Sequence, residues 1–177
     1  GLGWDMAKNA PNRNIFDIFK PSTTIDLDSS VLCLDSQDKL QHKDDVIYYA
    51  NLNHRSGAIR HQGDNLTGAG EGDDEQIIVD LNQIPDTIST LVFSVNIYMG
   101  KERKQDFSRI RNAFVRLVDL NTQREIAYYK LSGETYQGQT VMLMAELRRE
   151  DNGWQMKALG EGSTGSLDDL IRQYKSF

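Results

Sequence analysis

The chain has 177 residues, of which 38% are hydrophobic and 26% charged, as in an ordinary globular protein with one domain-sized core. Its formal net charge of −6 argues against non-specific nucleic-acid binding, which needs a basic face, and fits a protein that collects cations. A single cysteine, Cys33, excludes an internal disulfide and favours a reducing, cytoplasmic compartment, while no apolar run approaches the roughly 18 residues of a membrane span.

The chain opens without a methionine on the strand-like segment Gly1-Leu2-Gly3-Trp4, from which we expect that a preceding strand segment is missing. Residues 6–24 then hold two of the three prolines and the apolar pairs Ile15-Phe16 and Ile18-Phe19. This composition predicts a long inserted loop on the surface. We expect residues 1–177 to form a single domain.

Short segments with period-two alternation, separated by turn residues, dominate the rest of the chain. They predict strands at 25–34, 46–49, 76–81, 90–98, 113–120, 125–131, 140–149 and 154–159. Residues 101–110 predict a surface turn of helix at best. Ser166 and Asp169 form a capping-box pattern ahead of an apolar stripe, which predicts a C-terminal helix. The fold class predicted is all-β: an antiparallel β-sandwich with a short C-terminal helix and long metal-binding loops.

The chemistry is concentrated in residues 63–75, which hold four glycines and five carboxylates: Asp64, Glu71, Asp73, Asp74 and Glu75. So many negative charges repel one another unless a cation lies among them, and glycines allow the turns that aim backbone carbonyls inward. Calcium takes six to eight such oxygens with loose geometry, and magnesium is the second choice. An EF-hand is rejected because the segment that follows is strand-like, and a phosphate loop because no lysine is present.

A second acidic pair, Asp26 and Asp28, lies on one face at the start of a predicted strand. Two like charges at the mouth of a buried strand repel unless a cation bridges them. The plainer alternative for all of these acids is a solvated acidic loop. We expect Cys33 to be a small buried hydrophobe, and we place the histidines at the surface because they show no metal or catalytic spacing. The pair Asp44-Asp45 could form a second cation site, but a solvated turn is the preferred interpretation.

The segments Gly1–Asp5, Ile25-Asp26-Leu27-Asp28-Ser29 and 63–75, with Arg111–Arg116, Ala145-Glu146-Leu147 and 154–162, resemble the TerD family over nearly the whole chain. The insert around Ile15–Phe19 is closer to its TerZ- or TerX-like branch. The resemblance implies a calcium-binding β-sandwich with two neighbouring ions, and a role in resistance to tellurite and other stresses through membrane-associated complexes with other Ter proteins, without direct membrane insertion or nucleic acid.

Carried onto this sequence, the resemblance implies one set of metal ligands: Asp26, Asp28, Asp64, Asn65, Thr67, Gly70, Gly72, Asp73, Asp74 and Glu75. Asp5, Asn112 and Glu146 are weaker candidates. We expect no enzymatic activity, because no base or nucleophile is placed beside the acids. The alternatives are a metal-dependent phosphoesterase, since two-metal sites use clustered carboxylates, and a small nucleotide-binding protein.

Overall fold

The computed structural model describes residues 1–5, 25–63, 72–131 and 134–177. The predicted insert at 6–24 lies outside these ranges, as does most of the acidic loop. The elements are β1 (Leu2–Asp5), β2 (Leu27–Leu34), β3 (Val46–Ile47), β4 (Ile59–His61), β5 (Ile77–Val79), β6 (Thr90–Ile97), β7 (Arg111–Asp119), β8 (Arg124–Lys130), β9 (Val141–Glu150), β10 (Gly153–Ser163) and α1 (Leu167–Tyr174).

The strands form antiparallel sheets, as the alternation predicts. One sheet has the order β10-β9-β6-β2-β3, a second has the order β1-β7-β8, and β4 pairs with β5 in a two-stranded ribbon. The turns at 120–122 and 150–153 join β7 to β8 and β9 to β10, so both predicted hairpins are confirmed.

The five-stranded sheet is the central layer of the molecule. Leu27 and Val95 on one face of it pack against Leu2 and Trp4 of the three-stranded sheet. Farther along the same face, residues of β2 and β6 pack on the β4–β5 ribbon. The opposite face packs against α1 through Leu170. Because both faces are covered, all eight residues of β2 are buried.

Helix α1 begins where the sequence predicts. The Ser166 hydroxyl accepts from the Asp169 backbone N–H at 3.2 Å, and the Asp169 carboxylate accepts from the Ser166 N–H at 2.9 Å, which completes the capping box. No helix in the ranges given above is long and apolar enough to cross a membrane.

Three sequence expectations are wrong or incomplete. Residues 101–110 form turns and one 3₁₀ turn, Phe107–Arg109, because Phe107 is drawn into the core. The strand β4 (Ile59–His61) was not predicted.

The predicted surface positions of His54, His61 and Asp45 are wrong, because all three residues are buried. The Arg55 guanidinium donates to the Asp45 carboxylate at 2.9 Å, so this buried charge is paired. Cys33 is buried as predicted.

Candidate metal centre

The acidic pair Asp26 and Asp28 lies at the start of β2. Asp26 is 8% exposed and Asp28 2% exposed. Alternation along the strand places Asp28 on the face of the sheet that also carries Leu32 and Leu34, and this is the face packed against α1. Burying a carboxylate is costly unless hydrogen bonds or a cation compensate its charge, so these two groups need donors or an ion.

Asn96 of β6 lies directly opposite Asp28 in the sheet. Its amide Nδ2 donates to the Asp28 Oδ2 at 3.0 Å. The side chain is buried, at 6% exposure, and no residue in the described ranges donates to its carbonyl Oδ1. An acceptor left in this state costs about 1–3 kcal/mol of stability. The pair therefore combines a buried carboxylate with a buried oxygen acceptor.

Glu75 lies on the opposite face of β2 from Asp28. Its Oε2 accepts from the Ser29 backbone N–H and from the Ser29 hydroxyl, both at 2.8 Å. The His61 Nε2 lies 3.1 Å from the Ser29 Oγ and 3.5 Å from the same Glu75 oxygen. The other ring nitrogen, Nδ1, accepts from the Gly63 N–H at 3.2 Å, so the neutral ring carries its proton on Nε2.

This buried cluster of Ser29, His61 and Glu75 fixes both ends of the acidic loop. His61 holds Gly63 at the start of the loop. At its end, the Glu75 backbone N–H and C=O bond to Leu2 of β1 at 3.0 and 2.8 Å. Ser29 and Glu75 also line a cavity of about 190 Å³ between the two larger sheets. Its other walls are mainly apolar, and the Ser29 donors help to stabilise the Glu75 carboxylate there.

Asp73 and Asp74 bind to structural partners. Both carboxylate oxygens of Asp73 accept from the Arg116 guanidinium, at 2.7 and 3.0 Å. This pairing raises the pKa of Arg116. The Asp74 Oδ2 accepts from the Trp4 N–H at 2.8 Å. Gly72 has φ of 98°, a left-handed conformation that favours glycine. These contacts close the end of the loop against the three-stranded sheet.

Six of the ten predicted ligands lie in the described ranges, and they do not converge on one point. Asp28 and Glu75 are on opposite faces of β2, and Asp73 binds Arg116. In that part of the chain, no three His, Cys, Asp or Glu side chains form a metal-binding group. The other four predicted ligands lie outside it: Asp64, Asn65, Thr67 and Gly70.

Two of the weaker candidates lie near each other. The backbone of Asp5 pairs with Arg111, which precedes Asn112, a residue with φ of 53° at the start of β7. Glu146 is opposite Val92, four positions along β6 from Asn96 and therefore about 13 Å from it; it lies 3.7 Å from Arg148.

Sequence reasoning missed Asn96, His61 and Arg116. For Asn96 one signal exists: it is a polar residue between Val95 and Ile97 in a strand buried on both faces. His61 and Arg116 give no such signal, because their partners lie 32 and 43 residues away in sequence.

The donor chemistry fits calcium. The candidate donors that flank the acidic loop are carboxylate and amide oxygens, and calcium takes such oxygens in flexible geometry. The buried acceptor on Asn96 beside the Asp28 carboxylate is the observation that fits a cation best. His61 does not contribute a nitrogen ligand, because both of its ring nitrogens are engaged within the protein.

The fold and this site define the class of protein: an antiparallel β-sandwich with buried carboxylates at the start of β2 and a glycine-rich acidic segment at 63–75 of the sequence. A TerD domain matches residues 1–174. The chain belongs to the TerD family, whose named members are tellurium-resistance and stress-response proteins.

Individual relatives agree with this assignment. Stress response protein SCP2 of Bacillus subtilis (strain 168) is 43% identical over 98% of this chain and 87% of its own length. Tellurium resistance protein TerZ of Serratia marcescens is 40% identical over 96% of this chain and 82% of its own. The crystal structure of a TerD homologue from Streptomyces coelicolor A3(2) superposes with a TM-score of 0.74 at 18% identity, covering 96% of this chain and 91% of that one; this likeness concerns the fold alone.

Proposed function

We propose that the chain is a calcium-binding interaction module of the tellurite-resistance and stress-response system. It works in the cytoplasm with other Ter proteins, in complexes associated with the membrane. The observation that carries this proposal is the buried pair Asp26 and Asp28 at the start of β2, with Asn96 beside it. Buried carboxylate and amide oxygens of this kind are the hard donors that calcium takes.

Calcium would be held by Asp26 and Asp28 together with oxygens of the loop at 64–75, in two neighbouring sites. When bound, the ion would supply a positive charge between the carboxylates. The chain's own residues do the positioning. His61 holds Gly63, and Glu75 binds Ser29 and Leu2, so the loop begins and ends at fixed points of the sheet.

A binding role is favoured over catalysis by the surroundings of the cluster of Ser29, His61 and Glu75. A serine, a histidine and an acid within hydrogen-bonding distance could suggest a nucleophile and its base. Here the side chains of His61 and Glu75 are fully buried. Both ring nitrogens of His61 and the Oε2 of Glu75 are engaged within the protein, so the cluster serves to hold the ends of the loop.

Calorimetric titration of the full chain with calcium tests the proposal. We expect a dissociation constant of about 10⁻⁵ M or tighter, the range of calcium sensors. Calcium at about 100 times that constant stabilises the fold by about 2.7 kcal/mol, which raises the melting temperature by about 5–11 °C for a chain of this size. Absence of both effects at millimolar calcium would refute the proposal.

A matched pair of variants locates the site. Asp28→Asn removes a buried charge next to Asn96 and should weaken calcium binding at least roughly tenfold, which is about 1.4 kcal/mol. Asp44→Asn removes the same charge from a side chain that is 53% exposed and should leave the affinity unchanged. Phosphatase activity or a melting shift with nucleotides would favour the enzyme or nucleotide-binding alternatives instead.

A further inference from the structure

The side chain of Asn96 has a feature that a structural role leaves unexplained. Its Nδ2 donates to Asp28, but its Oδ1 is buried with no hydrogen-bond donor in the described part of the chain. The neighbours along the strand, Val95 and Ile97, are buried and apolar. A buried carbonyl oxygen next to a buried carboxylate is a pair of hard oxygen donors of the kind that calcium takes.

We propose that Asn96 is a calcium ligand through its Oδ1, beside Asp28, in the site formed at the start of β2. This inference rests on the proposed calcium binding and extends it to a residue on β6. The Oδ1 and Nδ2 atoms of Asn96 lie in one planar group, so the hydrogen bond from Nδ2 to Asp28 restricts the orientation of the whole amide. The site then includes a residue of β6, the middle strand of the five-stranded sheet.

The absence of charge on Asn96 explains why an amide, and not a carboxylate, is found opposite Asp28. Directly opposed side chains in an antiparallel pair have Cβ atoms about 4.5–5.5 Å apart, and like charges there destabilise the sheet. A second carboxylate opposite Asp28 would repel it whenever no ion is present. An amide offers an oxygen ligand without a charge, so the metal-free fold tolerates it.

Asn96→Asp separates a ligand from a structural hydrogen bond. If Asn96 is a ligand, the added carboxylate lowers the melting temperature in EGTA, because it repels Asp28, and strengthens calcium binding roughly tenfold. If Asn96 only donates to Asp28, Asn96→Ala removes that bond without removing a calcium ligand, and its calcium affinity stays close to that of the wild type. The readouts are the melting temperature in EGTA and in calcium, and calorimetric affinity. Asn96→Ala should weaken binding by a similar factor.

Asn152→Asp is the matched control, with the same change of charge. Asn152 lies in the hairpin between β9 and β10, beyond the row where Thr90 of β6 pairs with Arg148. That row is six residues from Asn96, so the control lies more than about 20 Å away. Its calcium affinity and both melting temperatures should match the wild type.

The outcomes separate the inference from the function on which it rests. A wild-type chain that takes up no calcium refutes the proposed function. A wild-type chain that binds calcium, with affinity unchanged in Asn96→Ala and not increased in Asn96→Asp, refutes only the role of Asn96. If Asn96→Asp is unfolded in EGTA but folds when calcium is added, the inference is supported.

If Asn96→Asp folds neither in EGTA nor in calcium, the inference is tested on the wild-type chain by NMR. NMR of the full chain follows the Asn96 side-chain amide and its Cγ during a calcium titration. We expect a large shift of the Asn96 Cγ resonance that saturates with the calorimetric curve, while the Asn152 side chain stays unperturbed. An Asn96 resonance that does not move at saturating calcium would overturn the assignment.

Discussion

At the scale of single residues, the buried acids are distinguished by what donates to them. Glu75 accepts two bonds from Ser29, Asp73 accepts from Arg116, and Asp28 accepts from Asn96. The sequence predicted that Asp26 and Asp28 share a face, because alternation within one strand is local. It could not predict the donors, because each of them comes from another element.

His54 shows how burial at one residue makes stability depend on pH. Its ring is 2% exposed, and burial lowers its pKa although the nearby Asp45 carboxylate opposes this. The folded state therefore prefers the neutral ring, while the unfolded chain takes up a proton near the ordinary value of about 6.5. Stability should fall as the pH drops below that value, toward the lowered pKa of the folded state.

His54→Asn tests this dependence. Asn keeps an acceptor for the Ser56 N–H, which bonds to the His54 Nδ1, but it does not titrate. The advantage of the wild type over the variant in free energy of unfolding should shrink between pH 7 and pH 5, as measured by urea denaturation. Asn82→Gln is the control, because Asn82 is exposed and neither side chain titrates; its difference from the wild type should not change with pH. A constant difference for His54→Asn would contradict the argument.

At the scale of secondary structure, α1 was predictable because its signals are adjacent in sequence. Ser166, Asp169 and the apolar stripe ending in Tyr174 define its start and its buried face. The strand β4 was not predictable from the sequence, because its three residues (Ile59–His61) are too few to establish an alternation. It forms because β5 pairs with it, and β5 lies 16 residues farther along the chain.

The strand β9 shows a second limit. The pairing of β9 with β6 shifts between Phe93 and Ser94, which inserts an extra residue, Met144, into β9. Met142 and Met144 therefore face the three-stranded sheet, whereas Leu147 faces the β4–β5 ribbon. A β-bulge changes which residues of a strand face inward, and strict alternation cannot anticipate it.

Ser166→Ala measures the contribution of the capping box. The Ser166 hydroxyl is the group that accepts from the Asp169 N–H, and removing an N-cap of this kind costs about 1 kcal/mol. Because Leu170 anchors α1 in the core, this loss should appear in the global free energy of unfolding in urea. Ser163→Ala, at an exposed position of β10, should change it much less. Equal effects would show that the cap does not stabilise the helix.

At the scale of the whole molecule, buried acidic residues and the apolar core meet at the two faces of β2. One face of β2 contributes Leu27 and Val31 to the core between the sheets, and Ser29 on that face binds Glu75. The other face carries Asp28, with Asn96 opposite it. Because β2 contacts both layers, binding of an ion at this strand would stabilise the whole fold. The melting temperature is therefore a suitable readout.

The general fold was predictable from periodicity, and the acidic character of the site from composition. The placement of the acids was only partly predictable. The sequence grouped Asp28 and Glu75 in one site, but alternation puts them on opposite faces of β2 once the pairing of Glu75 with Ser29 is known. That pairing joins residues 46 positions apart, and no local pattern encodes it.

The most direct test of calcium binding at β2 is anomalous diffraction from crystals of the full chain grown with calcium. We predict anomalous difference peaks between the start of β2 and residues 63–75, with one peak about 2.3–2.6 Å from an Asp28 carboxylate oxygen, the usual calcium–oxygen distance. Crystals at saturating calcium that show no peak there, or that show peaks only at exposed acids such as Asp44, would contradict the account.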